Sequence, residues 1–437
     1  MDGALLASGS VLVLFALILL GVHIGVALAL VSFLSVLGLT GRFDIAVNLM
    51  GATAYSAVMD YVFAVIPLFV LMGLFANHSG ATRNLFTAAE ALLGRLPGGV
   101  GIATVAANAV FAAITGVSVA SAAVFSRIAI PEMRRFHYAK TFSLGIVAAS
   151  AILGMLIPPS ILMIVYGVLT EQSIGKLFVA GVIPGLLIAL ILSAGIAGMV
   201  ILRPALGGGH VAIPPLTARQ RIRLLLRPWG AFVLIGLVLG GIYGGFFTPT
   251  EAGAVGAAGA LILMLVKAEA PLRRLPAVLT QAGQTTTSIF LLLIGAQMYS
   301  KMLALSGLPT LFTGWIVALE LPGTVVVLAF VGVILLLGMI LDSVSIILLT
   351  VPMMTPVVHA FGYDPLWFGL VLIVAVEIGL LTPPFGMVVF TIKATLGDEV
   401  TLQEIFTGAL PFVVLLLLGL GLLIAFPPLI TWLPAQM

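Results

Sequence analysis

The chain has 437 residues, of which 62% are hydrophobic and 8% charged, and its mean hydropathy is +1.31. A water-soluble domain carries about 25% charged residues, so a soluble enzyme or binding module is excluded and a polytopic membrane protein is required. The net charge of +3 resides in loop lysines and arginines that orient membrane helices, not in a nucleic-acid surface, and the lack of cysteine excludes disulfide and thiol chemistry.

A bilayer admits only helices or a closed barrel, and the long unalternating runs at 11–38, 229–245 and 409–430 select helices. The expected fold is therefore all-α and polytopic. Residues 4–20 lack the basic segment and small-residue cleavage site of a signal peptide and read as a mature helix. With runs at 22–40 and 55–76 they make an N-terminal scaffold, 1–78. Residues 79–200 form a unit with a segment 97–130, a span 141–170 and a span 177–200. A basic linker, 201–228, holds Gly207-Gly208-Gly209, Pro214-Pro215 and Arg219 to Arg227. Further scaffold runs at 229–246, 250–266 and 280–302 fill 229–305. Residues 306–437 then hold a segment 322–356, a span 365–396 and a span 406–430.

The last unit repeats the second. Ser79-Gly80 recurs as Ser306-Gly307, Leu96-Pro97-Gly98 as Leu321-Pro322-Gly323, and Pro131 as Pro356, at offsets of 225 to 227 residues. Gly154 with Pro158-Pro159 recurs as Gly379 with Pro383-Pro384, and Gly181-x-x-Pro184 as Gly408-x-x-Pro411. Repeated, broken membrane helices point to a secondary transporter whose sites lie where the breaks meet.

Segments 97–130 and 322–356 each hold two apolar arms around a polar or glycine-containing centre, Thr115-Gly116-Val117-Ser118 and Asp342-Ser343-Val344-Ser345. An arm of about 14 residues is too short to cross, so re-entrant hairpins are expected. Arg95, Arg127, Arg134, Arg135 and Lys140 flank the first, whereas Glu320 and Asp364 flank the second. The positive-inside rule opens the first to the cytoplasm and the second to the outside, so the two repeats are inverted. The alternation leaves all but Arg42, Lys176 and Lys301 of the 18 Lys and Arg cytoplasmic and puts both termini outside.

The breaks carry the candidate chemistry. Two consecutive prolines force residues out of helix, and the freed carbonyls must face protein or a polar cavity. Such carbonyls with a hydroxyl suit Na⁺, and the N-terminus of the following half-helix suits an anion. Hairpin tips add the oxygens of Thr115, Ser118 and Ser121, and of Asp342, Ser343 and Ser345. Asp342 marks a functional site or a tip cap, because a carboxylate in an apolar run is expensive. Glu377 draws similar attention, as a site or as a group paired within the protein. Thr248-Pro249-Thr250-Glu251 reads as a helix start. His23, His78, His137, His210 and His359 lack ligand spacing, so no metal beyond Na⁺ and no cofactor is expected. No Walker A, HExxH or GxSxG pattern occurs, so no enzyme activity is assigned.

Several of these stretches resemble the large membrane subunit of tripartite ATP-independent periplasmic (TRAP) transporters. They are Gly98-Gly99, Ile130-Pro131-Glu132-Met133, Leu156-Ile157-Pro158-Pro159-Ser160, Gly240-Gly241 through Thr248-Pro249-Thr250-Glu251-Ala252, and Gly379-Leu380-Leu381-Thr382-Pro383-Pro384. The similarity runs nearly end to end. It implies a Na⁺-coupled importer of organic anions in the bacterial inner membrane, with elevator-type movement of a domain carrying both hairpins. It also implies a small four-helix membrane subunit and a periplasmic substrate-binding protein as partners. On matching positions, Gly116, Ser118, Gly154 and Pro158 would form one sodium site, and Asp342, Ser343, Gly379 and Thr382 the other. Ser121, Pro159, Ser160, Ser345, Pro384 and Gly386 would face the substrate between them. Val117 stands where relatives usually carry Ser, and Val388 where Asn is common.

Two other functions compete. One is a stand-alone ion-coupled carboxylate carrier that needs no binding protein. The other is the permease of an ATP-driven pump, but the docking-like Glu251-Ala252-Gly253 falls on the external face by the charge count.

Overall fold

A computed structural model of the chain describes residues 3–59, 61–208, 217–267 and 271–437. Gly209, His210 and Pro214-Pro215 of the linker lie outside the described residues. The described residues are helical, with one isolated bridge between Tyr138 and Gly207 and no strand.

The first helices are α1 (Gly3–Leu19), α2 (Ile24–Thr40), α3 (Phe43–Met59) and α4 (Val65–His78), the last entered through a single 3₁₀ turn at Tyr61–Ala64. The apolar run 55–76 is thus divided between two helices. Then come α5 (Ala81–Leu93) and the arms α6 (Gly99–Thr115) and α7 (Ser118–Arg135). The span 141–170 becomes α8 (Lys140–Ala151), the single turn α9 (Leu153–Leu156) and α10 (Ile161–Thr170), bent by 41° at its break. Next are α11 (Ile174–Leu202), α12 (Ala218–Leu226), α13 (Trp229–Tyr243), α14 (Pro249–Lys267) and α15 (Pro271–Ser306). The last part holds α16 (Leu308–Ala318), α17 (Gly323–Gly338), α18 (Ser343–Ala360), α19 (Pro365–Gly379), α20 (Met387–Leu396), α21 (Leu402–Ala425) and α22 (Pro428–Thr431). Six helices are long and apolar enough to cross a membrane, or up to eight if each bent pair is one span, among the described residues.

Local chemistry explains the boundaries. The start of α14 is a reciprocal cap: Glu251 N donates to Thr248 Oγ1 at 3.3 Å, and Thr248 N donates to Glu251 Oε2 at 2.8 Å. Helices α5 and α16 open identically, each after a Ser-Gly pair whose glycine is left-handed, Gly80 at φ 78° and Gly307 at φ 71°. In both pairs the serine hydroxyl donates to the carbonyl three residues back, at 2.7 Å. The hairpin arms run longer than their apolar cores, at 16 to 18 residues, because Pro131, Pro352 and Pro356 sit inside α7 and α18 without ending them. At 1.5 Å per residue each arm is about 24 to 27 Å long, still short of a 30 Å hydrocarbon core.

Helices α4 with α14, and α2 with α15, pack as one set. In the other, α20 packs on α7 and α10 on α18, so the two halves interlock. Helices α8 and α21 cross backbone to backbone at Gly145 and Gly408. At the start of α21, Glu404 pairs with Lys140 at 2.7 Å, and nearby Glu399 pairs with Arg134 at 2.8 Å. At its far end the Leu423 carbonyl accepts from Trp367 Nε1 at 3.0 Å. The base of the first hairpin and the start of α8 therefore lie at one end of α21, and the start of α19 at the other. Leu410, Val414, Leu417 and Leu418 of α21 are exposed, an apolar face suited to lipid.

Candidate functional site

Each hairpin tip seats on a helix break through main-chain atoms. The first turns at Gly116, φ 64°, where a Cβ would lie 2.5 Å from the Pro159 carbonyl oxygen. The Gly116 carbonyl accepts from Ile161 N at 3.4 Å. Gly154 closes the contact from the other side, since a Cβ there would lie 2.9 Å from Ser118 N and from Ser121 Oγ. At the second tip Gly338 and Gly379 meet backbone to backbone, and the Met339 carbonyl accepts from Phe385 N at 3.2 Å. The Pro158–Pro159 and Pro383–Pro384 bonds are both cis.

The polar side chains sort into distinct jobs. Ser160 caps α10: its Oγ accepts from Met163 N at 3.4 Å and donates to the Met155 carbonyl at 2.5 Å, so the hydroxyl ties the break together. Asp342 caps α18, accepting from Ser345 N at 3.1 Å and from Ser345 Oγ. Those two residues bond each other. Thr382 Oγ1 donates to the Gly379 carbonyl at 2.6 Å, which leaves its lone pairs free to accept or to ligate. Ser121 Oγ is buried with no hydrogen-bond partner, so it does not take the preceding turn's carbonyl as membrane serines often do.

At the centre lies a group the sequence marked only by its charge. Glu377, on α19, is fully buried. Its Oε2 accepts from Ser118 Oγ at the first tip, and its Oε1 accepts from Ser343 Oγ at the second, at 3.3 Å. Ser118 and Ser343 are matched positions of the two repeats, 225 residues apart, and each is the first residue of its arm, α7 or α18. The carboxylate thus faces two helix N-termini, whose positive dipole ends offset its charge. Among the described residues it forms no ion pair. The position equivalent to Glu377 in the first repeat is Ile152, so a single half supplies the acid.

The halves also differ in exposure. Pro158, Pro159 and Ser160 are buried, whereas Pro383, Pro384 and Phe385 are exposed beside a crevice of about 210 Å³ lined by Met339, Ile340, Gly386 and Phe390. Gly386 ends that break in a left-handed conformation, φ 50°. The donors gathered here are carboxylate, hydroxyl and carbonyl oxygens, a set for a hard cation. No group of three or more His, Cys, Asp or Glu that could hold a metal occurs among the described residues.

The sequence matches the family described as tripartite ATP-independent periplasmic transporter, DctM component, over residues 11–429. The C4-dicarboxylate TRAP transporter large permease DctM of Pseudomonas aeruginosa is 35% identical over 391 residues, covering 88% of this chain and 90% of the relative. The sialic acid TRAP transporter large permease SiaM of Vibrio cholerae is 31% identical over 429 residues, covering 98% of both. In fold the chain is similar to the YdaH transporter of Alcanivorax borkumensis, with a TM-score of 0.59 at 16% identity over 87% of this chain and 88% of that one.

Proposed function

The chain belongs to the DctM component family of tripartite ATP-independent periplasmic transporters, and from that footing we propose that it is a permease that imports an organic anion down a sodium gradient. Relatives named for C4-dicarboxylates and sialic acid make a carboxylate the expected cargo. A periplasmic binding protein delivers it, and a small four-helix membrane subunit completes the complex in the bacterial inner membrane. Both termini face the periplasm. The carrying observation is the convergence of Ser118, Ser343 and Glu377 between two tips that each seat on a proline-broken helix.

Sodium binds at each tip-and-break junction: Gly116, Ser118, Gly154 and Pro158 at the first, Ser343, Gly379 and Thr382 at the second. Asp342 supports the second site by capping it. The anion binds between them, near Ser121, Pro159, Pro384 and Gly386; Ser160 and Ser345 shape that region through their caps. The two repeats are inverted, a reading supported by α8 and α19 starting at opposite ends of α21. Both hairpins then move together against the scaffold as an elevator.

The test is reconstitution of the permease with its small subunit in liposomes, with candidate binding proteins outside. Uptake of a labelled carboxylate should follow an inward sodium gradient and vanish when choline replaces sodium. Equal uptake in choline would sink the coupling. Equal uptake without any binding protein would favour the stand-alone carrier.

A further inference from the structure

Glu377 is the one fully buried charged side chain among the described residues. A buried carboxylate persists when hydrogen bonds and dipoles hold it in place. Here the two bonds come from separate parts of the fold: one oxygen is held by the tip of each hairpin, and the tips come from halves of the chain that interlock. If either tip shifts, the carboxylate must follow it and strain the other bond, or stay and leave an acceptor unmade in an apolar core. Either response passes information from one tip to the other.

We propose that Glu377 is a positioning residue that couples the two tips, so that filling of the cation site at one tip depends on the state of the other. The proposal rests on the reading of both tips as sodium sites. The asymmetry of the repeats fits this role. Two equivalent serines share a single acceptor because Ile152 stands where a second acid would be, and two separate acids would leave the tips independent. A plain buttress for α19 would need no bond to both tips.

Two measurements on the purified permease with its small subunit decide it. The first, in sodium-free buffer, compares unfolding temperatures of Ser118→Ala, Ser343→Ala and the double variant, in the wild-type background and with Glu377→Leu. In the wild type the two losses should be non-additive, the double variant departing from their sum by a third or more. With Glu377→Leu, whose side chain has no hydrogen-bonding atom to share between the serines, they should add. If Glu377→Leu does not fold, Glu377→Asp replaces it. The second is binding of radioactive ²²Na⁺. The wild type should fill with a Hill coefficient above 1.5, whereas Glu377→Asp should fall to about 1. Aspartate keeps the charge but lacks the reach to hold both serines, so charge alone would leave it unaltered. Additive losses in the wild type, or an unchanged Hill coefficient in Glu377→Asp, would overturn the coupling. If the wild type binds no ²²Na⁺, the sodium reading fails separately, and the unfolding comparison still decides whether the tips are joined.

Discussion

Gly116 and Gly80 both sit in left-handed backbone, at φ 64° and 78°, so alanine at either costs about 1–2 kcal/mol in conformation. They differ in what surrounds them. A Cβ at Gly80 meets nothing within 4 Å, whereas at Gly116 it meets the Pro159 carbonyl at 2.5 Å. Gly116→Ala should therefore lose roughly 1–3 kcal/mol more stability than Gly80→Ala and most of its uptake, a difference that paired thermal melts and transport assays would reveal. Asp342 offers a second contrast. Asparagine caps a helix about as well as aspartate, whereas alanine loses about 1 kcal/mol. If capping is its contribution, Asp342→Asn should transport with near wild-type sodium dependence while Asp342→Ala should not; loss in both would make its charge a cation ligand. These glycines and prolines were readable because helix breakers stand out in an apolar chain. The partnership of Glu377 was not, since its serines lie 259 and 34 residues away and no local pattern encodes that distance.

The ends of helices leave carbonyls without partners, and in lipid such groups need protein donors. The Leu423 carbonyl, in the last turn of α21, obtains one from the indole of Trp367 at the start of α19. Trp367→Phe keeps most of the buried ring but removes that donor, and should lower stability by about 1–3 kcal/mol with little change in half-saturating sodium. Lys140→Ala should cost less, under about 1 kcal/mol, because its pairing with Glu404 is partly solvated. Melting curves of the two variants side by side would test the order. Most helices were legible from apolar runs of sufficient length. Helix α3 was not, because Asp44 and Asn48 dilute its run and the following apolar residues continue into α4. Helices α5 and α16 are short, and the repeated Ser-Gly before each, with Leu85-Phe86-Thr87 recurring as Leu311-Phe312-Thr313 inside them, hinted at a matched pair.

For the whole molecule the sharpest test is orientation, and the cysteine-free chain suits it, because any introduced thiol is the only one. Arg95 precedes the first hairpin and Glu320 the second, and both are exposed. Arg95→Cys should react with a membrane-impermeant maleimide only from the cytoplasmic side, and Glu320→Cys only from the periplasm. Reaction of both from one side would refute inversion of the repeats. The two broken helices were legible because their Pro-Pro pairs repeat, whereas the difference in exposure of the two breaks arises from tertiary packing that no run of residues announces. The seating of each tip has one more consequence. Gly116 and Met339 offer peptide oxygens to Ile161 and Phe385 peptide nitrogens, so beyond the glycines that the close approach requires, this contact reads no side chain. Neighbours such as Val117 and Val388 can therefore differ in polarity among relatives without altering the main-chain bonds by which each tip is held.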